Sequence, residues 1–372
     1  MSRYDLSREE LAEVLAGEPA YRVAQLEEGL YRRLALPGEL TTLPKTLRER
    51  LAADERLAPA LSLRTEQRAD DGATTKWLFA LDGGHAVETV LMHYPRHSTV
   101  CISSQAGCAM ACTFCATGDH GFDRQLRVGE IVEQVVHAAR RAREEGRRLD
   151  HVVFMGMGEP LANLGPVLTA VERLVGPLGL AQRHLTISTV GVVPGIRRLA
   201  ARPEQVNLAV SLHAANDALR DELVPLNRRY PLAVLLAACA EYVAATHRRL
   251  SFEWALIDGV NDRDADAGEL ATIARELHAH VNLIPMNPTV GGSARGLRGS
   301  PPTRVRGFRD ELRELGVNVT IRQTRGEKIN AACGQLAGAV ARSATGRGCA
   351  QPAASPASPP SPAVTSLNRP DR

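Results

Sequence analysis

The sequence contains no run near the ~20 uninterrupted apolar residues that a membrane-spanning helix needs. Its opening stretch, MSRYDLSREELAEVL, is charged and helical in pattern and has no apolar core. It is not read as a secretory signal, and the chain is expected to stay in the cytoplasm. No GxGxxG follows the first regular strand, which lowers the dinucleotide-binding alternative. Cysteine is scarce, with seven in 372 residues, so a structural disulfide framework is not expected. Lysine is scarcer: of 45 basic residues only Lys45, Lys76 and Lys328 are lysine. Net charge is only +3 and does not announce a polyanionic partner.

What is present is a globular composition, 44% hydrophobic and 23% charged, in a chain long enough for about two domains of 100–200 residues each. Residues 1–60 read as short amphipathic helices, with Leu11, Val14 and Leu15 at helical spacing and Leu26, Leu30 and Leu34 every four. Residues 60–95 read as strands, with DGG (82–84) as a turn before AVETVLM. These suggest a small appended module, an N-terminal accessory domain of residues 1–85 expected to bind RNA, with the hairpin leading into the main domain. From residue 98, β-branched runs alternate with helical segments: STVCIS (98–103), HVVFM (151–155), HLTIS (184–188), VNLAVSL (206–212), SFEWALI (251–257), HVNLIP (280–285) and VNVTIR (317–322). The clearest helices between them are 128–145, 163–175, 232–247, 264–279 and 303–315. Such alternation predicts parallel βα units, a doubly wound sheet or a barrel, over a core of 86–342. Residues 343–372 are rich in Pro, Ser and Ala and are expected to be disordered. Residues 295–325 carry eight Arg against Asp310, Glu311 and Glu314, a local +5 that leaves the rest of the chain at −2. That stretch reads either as a phosphate-binding surface or as a solvated helix face.

The polar residues that look out of place all follow strand ends: Gly158 and Glu159, Ser188, Ser211 and His213, Asn287, and finally Cys333. In a (β/α) barrel that rim carries the active site. Four cysteines crowd into fifteen residues. Cys108, Cys112 and Cys115 have the spacing C-x3-C-x2-C in the loop after the first barrel strand, and Cys101 precedes them. Three thiolates from one short loop can hold three irons of a [4Fe–4S] cluster and leave the fourth iron open to a ligand. The alternative is zinc with His120 as a fourth ligand, although structural zinc sites usually show two separated ligand pairs.

This C-x3-C-x2-C, with Phe114 before the third cysteine, resembles the signature of the radical S-adenosylmethionine (SAM) superfamily. MGMGEP (155–160) resembles that superfamily's motif for the SAM amino group. The segments CISSQAGCAMACTFCATG (101–118), GFDRQL (121–126), MGMGEPLAN (155–163), STVGVVPGI (188–196), SLHAANDALRDELVP (211–225), LIPMNP (283–288) and AACGQLAG (331–338) resemble the RlmN branch of RNA adenine C2-methyltransferases. The resemblance covers roughly residues 85–342. It implies a partial (β/α)6-type TIM barrel, one [4Fe–4S] cluster and two SAM molecules per turnover. It implies methylation at C2 of an adenosine in 23S rRNA and of the adenosine beside the tRNA anticodon, at position 37. A one-electron reductant and a thiol reductant are implied as partners, and the chain is expected to be a monomer. By the same resemblance Cys108, Cys112 and Cys115 are cluster ligands, and Gly158, Glu159, Ser188, Ser211, Leu212, His213 and Asn287 contact SAM. Cys333 is the methyl-carrying cysteine, Cys101 its partner, and Glu88 the acid/base. Met286 stands where many members have Trp, and residues 327–330 replace a more acidic run.

Adenine C2 is electron-poor and not a nucleophile, so ordinary attack on a SAM methyl is unavailable and a cofactor must carry the hard step. A sulfur nucleophile suits the first transfer, and a second thiol suits product release by displacement. Taken alone, Cys333 reads as a small buried residue; it gains as a nucleophile by lying among Gly and Ala after a strand. Taken alone, Cys101 reads as strand core, Glu88 as a strand carboxylate, and Ser188, Ser211 and His213 as caps on backbone groups. Two competing readings stay open: the related C8 methyltransferase, and a cluster- or zinc-stabilised RNA-binding protein without catalysis.

Overall fold

Seven strands that follow one another in sequence are also neighbours in space, and that order positions everything else. The computed structural model describes residues 1–337; the Pro/Ser-rich segment from Ser343, expected to be disordered, lies outside the described residues. The strands are β1 (Ser62–Ala69), β2 (Thr74–Ala80), β3 (Ala86–His93), β4 (Ser98–Cys101), β5 (Gln105–Gly107), β6 (Phe122–Gln125), β7 (His151–Phe154), β8 (Leu185–Thr189), β9 (Asn207–Ser211), β10 (Leu250–Leu256), β11 (His280–Pro285) and β12 (Val319–Ile321). Ten form one sheet in the order β1-β2-β3-β4-β7-β8-β9-β10-β11-β12, and β5 pairs with β6 in a separate ribbon. Within the ten-stranded sheet every pairing from β4 to β12 is parallel, while β1 to β4 are antiparallel. Parallel neighbours joined by crossovers of one hand put their helices on one face and curl the sheet around the other. The result is a partial barrel: six strands, β4 and β7–β11, each lead to a helix before the next strand, and β12 ends the series.

The expected helices are all present. The helix Val193–Ala200 was not predicted, because Pro194 and three valines obscure its apolar period. Proline is tolerated there because it lies in the first turn, where its missing N–H has no helical partner to lose. The helix Val128–Glu144 shows the strongest local logic. Ile131, Val132, Val135, Val136 and Ala142 face apolar neighbours, and the Glu130 side chain accepts from the Arg127 N–H at 2.8 Å to close the first turn. Arg141 and Arg143 lie in its last turn, where the helix dipole favours cations.

The N-terminal segment, expected as an appended module, is continuous with the barrel. β3 pairs with β4, and Leu26, Leu30 and Trp77 belong to the same apolar core as Ile187 and Leu208. Buried polar contacts also cross the join. Arg3 pairs with Glu133 at 2.6 Å, and the Asp5 carboxylate accepts from Gly129 N–H at 2.7 Å. A Cβ at Gly129 would displace the Ser2 hydroxyl and the Asp5 carboxylate from this contact.

One buried side chain ties this join to the active rim. Gln134 accepts from Thr89 Oγ1 and from Ser103 N–H, both at 2.8 Å, and donates to the carbonyls of Ser103 and Glu130. Gln134→Leu removes four partners at once and leaves the Ser103 N–H and C=O buried without them. It should lower the unfolding free energy by about 2–4 kcal/mol in a denaturant titration. A change below about 0.5 kcal/mol, the range of a neutral surface substitution, would show that the network is dispensable.

Candidate active site

The cysteine loop is shaped by local backbone demands. Ala111 takes a left-handed φ of 52° between Cys108 and Cys112. The Cys108 N–H donates to Gly121 O at 2.7 Å, and the Cys115 N–H to Cys112 O at 3.2 Å. The thiols of Cys108, Cys112 and Cys115 line one cavity. Burial, with some repulsion from Cys115 and Glu159, pushes the Cys108 thiol up to about 12. Burial and then the two neighbouring thiols push Cys112 well above the ordinary thiol range. A group of buried, mutually repelling sulfurs is the donor set that a soft, positively charged metal centre relieves.

His120, the fourth ligand that zinc would need, does not line the cavity and faces Asp123 at 3.3 Å. Among the described residues no three His, Cys, Asp or Glu side chains are grouped to hold a single metal ion. Three thiolates that each ligate a different iron fit a [4Fe–4S] cluster, which leaves one iron open to a ligand.

The strand ends complete the cavity. Gly158, Glu159, Ser188, Ser211, His213, Asn287, Cys101 and Cys333 all line it. Leu212 is buried and Glu88 is buried, and neither is in the cavity wall. Gly158 has φ +93°, and a Cβ there would collide with Gln105. Gln105 uses that closeness: its Oε1 accepts from the Glu159 N–H at 2.7 Å. Glu159 in turn accepts from the N–H groups of Leu161 and Val190 at 2.9 and 2.8 Å. Burial outweighs these hydrogen bonds and lifts the carboxyl to about 7. Ser188 Oγ donates to Phe154 O at 2.7 Å, as a strand-end cap would.

His213 also has a left-handed backbone, φ 60°. Its Nδ1 accepts from the Ala255 N–H at 3.0 Å, so the ring proton sits on Nε2. Burial, then the Arg220 charge, hold its pKa down at about 3. The ring is therefore a neutral, edge-on partner of Phe114, with centroids 4.5 Å apart.

Two arginines were not singled out by the sequence, one behind the strand ends and one in the cavity wall. Arg220 is 1% exposed and donates to the carbonyls of Val190, Ser211 and Leu212 and to Asn227 Oδ1. It ties the ends of β8 and β9 together, and burial lowers its pKa to about 10. Arg322 follows β12 and lines the cavity near Cys101 and Cys333. Its charge is stabilised first by Cys333 and further by Glu253 and Cys101, which raise its pKa. Its guanidinium donates to Met155 Sδ at 3.8 Å.

The basic stretch 295–325 divides among separate duties instead of forming one phosphate surface. Arg304 is paired with Glu311 and Asp264, Arg309 with Asp310, and Arg295 with Asp119. Arg322 and Arg325 line the cavity. Arg298 and Arg306 stay exposed, with no carboxylate partner among the described residues.

A parallel partial barrel with three such thiols in the loop after its first strand defines a radical SAM enzyme, and the comparisons agree. Residues 102–271 match the Radical SAM superfamily. A crystal structure of a radical SAM methyltransferase from Sphaerobacter thermophilus superposes with a TM-score of 0.86 at 51% identity, covering 91% of this chain and 100% of that one. A probable dual-specificity RNA methyltransferase RlmN from Frankia alni is 51% identical over 348 residues, 90% of this chain and 82% of that one. One from Salinispora tropica is 48% identical, covering 91% and 93%. The chain is a SAM-dependent radical SAM methyltransferase, and it belongs to the RlmN family of RNA methyltransferases. No helix among the described residues is long and apolar enough to cross a membrane.

Arg220→Lys keeps the charge but not the planar fork that reaches four acceptors. It should cost about 2–4 kcal/mol of stability, and a loss under about 0.5 kcal/mol would show that the acceptors are satisfied without the fork. His213 makes a pH prediction. Its folded pKa, about 3, lies below the usual 6.5, so the unfolded chain takes up a proton that the folded chain refuses. The stability it contributes is present above pH 6.5 and is lost as pH falls toward 3. Over that window wild-type unfolding free energies should fall more steeply than those of His213→Asn, by about 1.4 kcal/mol per pH unit. Equal slopes would contradict the assignment.

Proposed function

We propose that this enzyme methylates C2 of an adenosine in 23S rRNA and of the adenosine beside the tRNA anticodon, at position 37, in the cytoplasm. The methyl group is carried on Cys333, and two SAM molecules are used for each methyl transferred. The observation that carries this reading is the meeting of Cys101 and Cys333, 232 positions apart in sequence, in the cavity that also receives Cys108, Cys112 and Cys115. Cys333 is close enough to push the Cys101 thiol up, after burial, to about 12.

When bound, the cluster supplies the electron that cleaves SAM, and SAM supplies the methyl group and the radical that activates it. Cys108, Cys112 and Cys115 would hold the cluster through Sγ. Gly158, Glu159, Ser188, Ser211, Leu212, His213 and Asn287 would hold SAM. Glu159 and Glu253 give the cavity two carboxyl groups, which suits a ligand with an ammonium and a sulfonium charge. Cys333 Sγ takes the methyl by displacement, on the cavity wall that Arg322 also lines. Glu88 serves as the acid/base for the C2 proton. Cys101 then attacks Cys333 Sγ. The bond from that sulfur to the product carbon breaks as the disulfide forms, and a thiol reductant restores both cysteines.

The two lone cysteines act at opposite ends of this order, which makes the reading testable. Cys333→Ala should load no methyl and give no product. Cys101→Ala should load the methyl and stall as a covalent protein–RNA adduct, seen as a band on a denaturing gel that nuclease removes. Normal turnover in Cys101→Ala, or an equal adduct in Cys333→Ala, would overturn the assigned roles. Cys112→Ala should lose the iron chromophore while the chain stays folded by circular dichroism. An unchanged iron content would remove the cluster assignment.

A further inference from the structure

The segment that carries Cys333 has little regular structure of its own. Its short 3-10 turn spans Glu327–Ile329, and beyond it the backbone is held by groups from elsewhere. Asn287 Nδ2 donates to Cys333 O at 3.1 Å, Ala116 N–H to Gly334 O at 2.8 Å, and Thr117 Oγ1 to Leu336 O at 2.6 Å. Those contacts come from the barrel rim. A second set comes from the N-terminal hairpin, on the opposite flank in sequence.

Lys76 on β2 and Glu88 on β3 lie diagonally across the antiparallel pair, since Lys76 faces Val90 and Glu88 faces Leu78 in register. Both side chains are buried, and Nζ meets Oε1 at 2.9 Å. Each also reaches the Cys333 segment. Lys76 Nζ donates to Asn330 O at 3.2 Å, and Glu88 Oε2 accepts from the Ala337 N–H at 2.9 Å. Asn330 lies three positions before Cys333 and Ala337 four positions after it. One ion pair therefore grips both ends of the segment. A buried pair of this kind is weak evidence for stability, because an apolar pair of equal volume often does as well. Its use here is directional: an ammonium and a carboxylate fix a carbonyl and an amide that no apolar pair could hold.

We propose that Lys76 and Glu88 are positioning residues, a clamp that holds the Cys333 segment in place over the cavity so that its sulfur meets Cys101 and the bound methyl donor. This rests on the reading of Cys333 as methyl carrier. It also gives Glu88 a task in the resting enzyme that is separate from proton transfer.

The test uses the full chain reconstituted anaerobically with iron and sulfide. Lys76→Met and the double variant Lys76→Met/Glu88→Leu are compared with wild type; the double variant leaves no lone buried charge if the single one folds poorly. Iodoacetamide alkylation is followed by peptide mass spectrometry at Cys333, with the buried Cys239 as internal control. The clamp predicts a Cys333 alkylation rate about tenfold higher, unchanged Cys239 reactivity and unchanged iron content. It also predicts methyl loading of Cys333, measured without RNA, reduced about 10- to 100-fold, with RNA binding in a filter-retention assay unchanged. Wild-type alkylation at Cys333 in the folded double variant would overturn the proposal. So would equal loosening of Cys239 or loss of iron, because the pair would then support the whole fold and not this segment. Failure of Cys333 as methyl carrier is read separately: Cys333→Ala would still make product, while the alkylation result would stand or fall on its own.

Discussion

A parallel strand that stops leaves backbone groups without ladder partners, and those groups must be satisfied where they are buried. In this protein the side chains that satisfy them also shape the cavity. Arg220 takes the carbonyls at the ends of β8 and β9. Gln105 takes the Glu159 amide, and Ser188 takes the carbonyl of Phe154. Because consecutive strands are neighbours, all their ends arrive on one rim, and every such repair is made beside the same space. The residues that satisfy the strand ends and those that border the cavity thus lie together on one rim. A substitution here is felt in stability and in chemistry together.

The cavity is electrostatically mixed, and its charges are held by burial more than by pairing. Burial keeps His213 neutral and lifts Glu159 toward pH 7. Arg322 remains charged because sulfur and carboxylate neighbours favour its cation. Such a site separates tasks. A neutral imidazole and a carboxyl of raised pKa border one part of the cavity, while the guanidinium stands near Cys101 and Cys333. The N-terminal hairpin reaches the same place from the other side, through Lys76 and Glu88.

Much of this was legible in the sequence because it is local. Three cysteines within eight residues mark metal chemistry by their spacing, and the β-branched runs with polar residues after them mark parallel βα units and their rim. What was not legible depends on contacts far apart in sequence. Arg220 and Arg322 are two among 42 arginines, and nothing near them marks one as a strand-end tie and the other as a cysteine neighbour. The sequence could not choose between a phosphate surface and a solvated face for 295–325, because Asp264, which pairs with Arg304, and Asp119, which pairs with Arg295, lie outside it. The hairpin's lead into the main domain was legible from its strand pattern, and β3 does pair with β4; the buried contacts by which the N-terminal helices join the same core were not. Lys76 did carry a faint signal. In a chain that uses arginine almost throughout, a lysine inside an apolar strand needs a local reason, and a compact ammonium between a carboxylate and a carbonyl supplies one.

The central claim is that this cavity methylates adenosine at C2 through a cluster held by Cys108, Cys112 and Cys115. The most direct measurement is anaerobic reconstitution with iron and sulfide, addition of SAM and a reductant to 23S rRNA and tRNA, and mass spectrometry of the released adenosines against C2- and C8-methyl standards. The account predicts about four irons per chain and 2-methyladenosine in the RNA. A chain that binds about one zinc and makes no methyladenosine, or one that makes only the C8 product, would contradict it.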